Sequence, residues 1–128
     1  MTDINYGAVA VATLAGFITS AVYYGVLGNI RTKYSNAKAS KPSIKQAAAE
    51  LLRTAILVLI VAVIAKLTTS ATIGDAVALA GLLWIGFPAI LLSGSVMYEK
   101  TPVPLALLHG GDWLLKLLVI TSLIVLWR

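Results

Sequence analysis

Long apolar runs separated by short polar connections set the pattern of this chain. A helix rises 1.5 Å per residue, so a hydrocarbon layer about 30 Å thick takes about 20 residues per crossing. Four runs reach that length. The first, about residues 6–30, carries no charge, and its Ala8, Ala12, Gly16 and Ser20 recur every four positions on one face. Such a stripe of small residues lets membrane helices approach closely. The second run, about 46–69, follows Ser43-Ile44-Lys45-Gln46, a Ser-x-x-Gln capping box placed directly after Pro42. Its uncharged stretch from Thr54 to Ala65 is too short to cross alone. The span therefore takes in Glu50 and Arg53 at one end and Lys66 to Thr69 at the other, with the long basic side chains reaching toward the surface.

The third run, about 75–97, opens on a second capping box, Thr72-Ile73-Gly74-Asp75, which sets a carboxylate at the positive end of the helix. Pro88 near its middle has no N–H to offer the carbonyl of Trp84, which predicts a kink there. The fourth, about 102–127, begins at Thr101-Pro102, with proline at a favourable first-turn position. The elements predicted are thus four helices in one all-α, antiparallel, integral membrane bundle, a single domain over residues 1–128.

Composition makes lipid the required solvent. Hydrophobic residues are 59% of the 128 and charged residues 12%, with a mean hydropathy of +0.93. A soluble domain is nearer half apolar and a quarter charged, and a fold this small would leave much of the surplus in water. Cysteine is absent and histidine occurs once. That excludes disulfide frameworks, thiolate metal sites, thiol nucleophiles and paired-histidine sites, so no cofactor and no metal is expected. The opening Met1-Thr2-Asp3-Ile4-Asn5-Tyr6 has no basic residue, unlike a cleaved signal peptide, and the first run is expected to be retained.

The net charge of +5 and pI of 9.7 do not point to nucleic acid, because Arg31, Lys33, Lys38, Lys41 and Lys45 crowd into one acid-free connection at 31–45. Lys and Arg accumulate in loops held on the cytoplasmic side. That connection is expected to face the cytoplasm, with both termini outside a cell membrane. Tyr34 and Tyr98 then mark the inner interface, Tyr6 and Trp127 the outer. The same lysines can attract anionic lipid headgroups, at about 1 kcal/mol each near the surface.

Chemistry concentrates in the fourth run. His109, Asp112 and Lys116 stand at i, i+3 and i+7, on one helical face. Lys116 falls roughly 20 Å along its helix, where a charge facing lipid is costly, so the face should turn to protein or to a polar cavity. Gly110 and Gly111 beside it permit close helix approach. Glu50 and Arg53 enter from the same end in the second run. The simplest pairing is Asp112 with Lys116 at i, i+4, and the next Arg53 with Asp112 between helices. Tyr23 and Tyr24 are expected as interfacial or packing residues.

Three readings of this candidate polar site follow. His109, Asp112, Lys116, Glu50 and Arg53 hold the helices in register; or they line a small path for protons, an ion or a polar ligand; or His109 and Asp112 serve an enzyme. No nucleophile motif or phosphate loop accompanies the last. The first is preferred, a non-enzymatic structural or assembly component, with a small transporter or proton-conducting protein as the alternative.

The run Leu108-His109-Gly110-Gly111-Asp112-Trp113-Leu114-Leu115-Lys116-Leu117-Leu118, with Trp84-Ile85-Gly86-Phe87-Pro88 ahead of Glu99-Lys100, resembles the small bacterial and archaeal membrane family known as domain of unknown function 1761. Asn5-Tyr6-Gly7-Ala8-Val9 and the pair Tyr23-Tyr24 before glycine are similar to that family's first span. The resemblance covers essentially the whole chain and implies a four-helix integral membrane protein. It implies no catalytic or ligand residues, because the family's activity is unknown. Many relatives carry tryptophan within and after the aromatic pair, where this chain has Tyr23-Tyr24 and Tyr34. The small-residue face of the first run is expected to support a homo-oligomer, and membrane lipids are the expected partners.

Overall fold

The apolar runs fold as helices in the computed structural model, which describes residues 4–34 and 43–127. The helices are α1 (Tyr6–Tyr34), α2 (Ile44–Leu67), α3 (Ile73–Gly86), α4 (Pro88–Tyr98) and α5 (Val103–Leu126). No strand occurs among the described residues. Counting α3 and α4 as one interrupted crossing, four helices among the described residues are long and apolar enough to span a membrane. Lys38 and Lys41, the side chains of Arg31 and Tyr34, and the headgroup contact expected of that connection lie outside the described residues.

Both capping boxes form. Ser43 Oγ accepts from the Gln46 amide while the Gln46 side chain accepts from the Ser43 amide, at 3.2 and 2.9 Å. Thr72 and Asp75 repeat the exchange at 3.1 Å in both directions, and Asp75 also accepts from the Ala71 amide. These bonds satisfy donors that a helix start leaves open. The end of α2 is closed by Ser70 N–H on the Ala65 carbonyl and Thr69 N–H on the Lys66 carbonyl, with Thr69 at φ 52°.

Pro88 does more than kink the third run; it divides it. Phe87 caps α3 and opens α4 with φ −123° and ψ −75°, outside helical geometry. The proline becomes the first residue of a new helix, where its missing N–H costs nothing.

Hydrogen bonds fix the directions of the helices. Asn5 reaches Trp127, Ser20 reaches Asp112 and Tyr23 reaches Leu108, so α1 and α5 run antiparallel along most of their length. One end of the bundle gathers the start of α1 and the ends of α2 and α5, here the terminal end. The other gathers the end of α1 and the starts of α2 and α5, here the basic end. Near the terminal end Ala8, Ala12, Val58, Val61, Ala65, Ala76, Ala80, Ile120 and Val125 form a closely packed, buried layer.

The outer surface is apolar: Leu82, Leu91, Leu107, Val26 and Ile90 are all exposed, while Asp112, Lys116, Thr54 and Thr121 are buried. Apolar groups outside and ionised groups inside is the arrangement a lipid solvent demands. The small-residue stripe is taken up within the chain. Ala8, Ala12, Gly16 and Ser20 are all buried, and a Cβ on Gly16 would stand 2.8 Å from Ile120 Cδ1 and 3.3 Å from Thr54 Cγ2. Close contact of α1 with α5 and α2 therefore occupies the face that the sequence offered to a second copy.

Candidate functional site

Asp112 and Lys116 stand one turn apart on α5, and a helical side chain leans toward the N-terminus of its own helix. Lys116 therefore extends back toward Asp112 and the basic end. Its ammonium lies 3.7 Å from Asp112 Oδ2 and 3.9 Å from Glu50 Oε1. These separations exceed the usual 2.7–2.9 Å of a charge-assisted hydrogen bond, so the attraction is chiefly coulombic. The ammonium also stands 4.9 Å from the centre of the Trp113 ring, within cation–π range.

The second oxygen of Asp112 accepts a 2.7 Å hydrogen bond from Ser20 Oγ on α1. Asp112 is 4% exposed and Lys116 5%. Glu50 sits nearer the surface, its side chain 36% exposed, and its other oxygen takes a 2.7 Å bond from Arg53. The charges on these four groups balance. With Ser20 they form a sequence from rim to interior, Arg53–Glu50–Lys116–Asp112–Ser20, that ties α2, α5 and α1 together.

Arg53 departs from the expected pairing. It does not meet Asp112; its side chain is 71% exposed and pairs with Glu50 on its own helix. The buried face of α2 follows Thr54, Val58, Val61, Ala62 and Ala65. Glu50, four residues before Thr54, shares that face, whereas Arg53 is rotated about 100° from Thr54 and points away.

His109, one turn before Asp112 and Trp113 on α5, meets the tyrosine pair of α1. Its Nδ1 is 2.6 Å from the Tyr24 hydroxyl, with the rings tilted 55° and their centres 5.7 Å apart. Tyr23 packs edge-on against Tyr24 and donates a 2.7 Å bond to the Leu108 carbonyl. The tyrosines are thus polar partners of α5 as well as packing residues. A signal for this existed: Tyr24 continues the four-residue spacing of Ala8, Ala12, Gly16 and Ser20. From α3, Trp84 Nε1 donates a 2.8 Å bond to the Gly110 carbonyl.

Gly111 admits Tyr23 to the backbone of α5, whereas Gly110 has room for a methyl group. A Cβ on Gly110 would touch Leu92 and Trp84 at 3.5 and 3.8 Å; one on Gly111 would collide with the Tyr23 hydroxyl. Among the described residues, no group of three or more His, Asp or Glu side chains is placed to hold a metal ion. Neither of two surface clefts, one between α1 and α5 and one at the terminal end, is lined by His109, Asp112 or Lys116. Ion pairs and one hydrogen bond thus connect α1, α2 and α5, and among the described residues the exposed members of the set, Glu50 and Arg53, lie toward the basic end.

A family model described as "Protein of unknown function (DUF1761)" matches residues 7–125, which shows the family. Neither the curated proteins nor the solved structures give a match.

Proposed function

We propose, for a chain that belongs to this DUF1761 family, the role of a multi-pass protein of the cell membrane, both termini outside, acting as a non-enzymatic structural or assembly component. In this reading Asp112, Lys116 and Glu50, with Ser20 as the hydrogen-bond donor on α1, hold the spans in register. The observation that carries it is the sealing of Asp112 and Lys116 against one another, each about 5% exposed. A path would have to continue from them to the terminal end, and there Ala12, Val58, Val61, Ile120 and Val125 are apolar and at most 1% exposed, with the Thr121 hydroxyl, itself fully buried, as the polar group among them. The orientation rests on the lysines and arginine of residues 31–45.

A second reading has one observation in its favour. Glu50 is a third exposed and lies within 3.9 Å of Lys116, so a line of titratable groups begins at the surface and reaches the interior. In that reading the chain moves protons or a small ion, with His109 and Arg53 near the entrance. Vesicles holding purified protein and a pH-sensitive dye separate the two. The structural role gives no proton flux above that of empty vesicles under a pH gradient or a membrane potential. Flux that Asp112→Asn abolishes, in a variant still folded, would overturn it in favour of conduction.

A further inference from the structure

Lipid offers a backbone no hydrogen bonds, so a helix broken within the hydrocarbon layer must be covered by protein or open onto water. The third crossing has such a break. Phe87, between α3 and α4, lies roughly 21 Å from Ile73 and 17 Å from Tyr98 along the crossing, near the middle of the layer. Pro88 has no N–H for the Trp84 carbonyl. The amides of Ala89 and Ile90 precede the first bond of the new ladder, Leu91 N–H on the Phe87 carbonyl at 2.9 Å, and no side chain caps the start of α4. The Gly86 carbonyl is thereby parted from Ile90, its donor in a continuous helix. One short segment therefore carries both acceptors and donors in need of partners.

The break lies open on the surface. Ile85, Gly86, Phe87, Ile90 and Leu91 around it are all exposed. Gly86 has no side chain to shield its carbonyl, and a Cβ there would meet nothing within 4 Å. An acyl chain laid against it neither donates nor accepts. From Ala76 to Tyr98 no residue is charged, so this surface offers an ionic partner no counter-charge. A second copy of the chain meets each requirement. Inserted in the same orientation, it carries its own break at the same depth, and a two-fold axis along the membrane normal sets the donors of one copy against the acceptors of the other. Gly86 lets the two backbones approach closely, as small residues do between membrane helices. The groove between α1 and α5 is flanked by unbroken helices and requires no such cover.

We propose that two copies of the chain associate in the membrane through the α3–α4 break, with Gly86 at the contact and Phe87 and Ile90 packed around it. The association does not depend on the role given to the ion pairs. It requires only that the helices sit in lipid.

The test uses the full chain in phosphatidylcholine vesicles. Native cysteine is absent, so Lys33→Cys at the exposed basic end takes a donor or an acceptor dye, and energy transfer is followed as added lipid dilutes the protein. With no other change, transfer is expected to fall with dilution along the curve of a reversible dimer. Gly86→Leu has room within its own chain and is expected to weaken association about tenfold, the size of two symmetry-related interhelical hydrogen bonds. Pro88→Ala, which returns an N–H to the Trp84 carbonyl, is expected to weaken it to a similar extent. Gly25→Leu on α1, where a Cβ is equally unobstructed, leaves association unchanged. In separate chains without dye, Phe87→Cys oxidises to a covalent dimer and Val22→Cys on α1 does not. The proposal is overturned by a chain that is monomeric at every dilution, which would leave the break to a different membrane protein. It is equally overturned if Gly86→Leu and Pro88→Ala associate as tightly as the parent, or if Gly25→Leu weakens association as much as they do.

Discussion

Tyr23 and Gly111 show how much at the residue scale depends on one missing methyl group. The Tyr23 hydroxyl donates to the Leu108 carbonyl at 2.7 Å only because Gly111 presents no Cβ in its way. Gly111→Ala gains about 1 kcal/mol of intrinsic helix preference, but it displaces a hydrogen-bonded ring and loses a bond worth about 1 kcal/mol. Overpacking costs a further 1–3 kcal/mol, about 2 at the middle of that range. The expected net result is a loss of about 2 kcal/mol in reversible unfolding from micelles, and adding Tyr23→Phe to Gly111→Ala should recover part of it. Equal stability of Gly111→Ala and wild type would contradict this contact. The Asp112–Lys116 pair was legible from i, i+4 spacing alone, because a helix fixes such neighbours wherever it packs. Arg53 was not, since its partner depends on which face of α2 turns inward. That face could have been taken from Thr54, Val58, Val61 and Ala65.

Among the elements, the helix boundaries follow local chemistry closely. Ser43-x-x-Gln46 and Thr72-x-x-Asp75 cap α2 and α3 because side chain and backbone exchange bonds within four residues, independently of tertiary packing. The effect of Pro88 was legible only in part: its lost hydrogen bond predicts a kink, while the full break at Phe87 depends on how α3 and α4 pack on α5. The α2–α3 turn places Thr69, a β-branched residue, at φ 52°. That conformation costs an L-residue about 1–2 kcal/mol, against about 0.4–1 kcal/mol of extra chain entropy that glycine brings to the unfolded state. Thr69→Gly is therefore expected to stabilise the protein by about 0.5–1 kcal/mol, read as a raised melting temperature in detergent. A lowered one would show that the Thr69 side chain contributes more than its backbone costs.

Across the whole molecule, the sequence dictated an inside-out arrangement, and the structure has it, with leucines outward and ionised groups inward. Helix association in lipid has no hydrophobic drive of its own, so close packing and polar contacts must supply it. Ala8, Ala12, Gly16 and Ser20 provide the first by bringing α1 against α5; Ser20, Asp112, Lys116 and Glu50 provide the second across three helices. A stripe of small residues does not encode whether its partner is the same chain or another copy, which is why its intramolecular use was hidden from the sequence. The reading that the buried charges hold the bundle together is tested most directly by comparing Lys116→Leu with Asp112→Asn/Lys116→Leu in reversible unfolding from mixed micelles. Lys116→Leu strands the sealed Asp112 carboxylate and is expected to cost about 3–5 kcal/mol. The double variant removes the stranded charge, keeps a partner for Ser20, and should regain at least about half of that loss. A Lys116→Leu protein as stable as wild type, or a double variant that loses as much as the single one, would contradict the account.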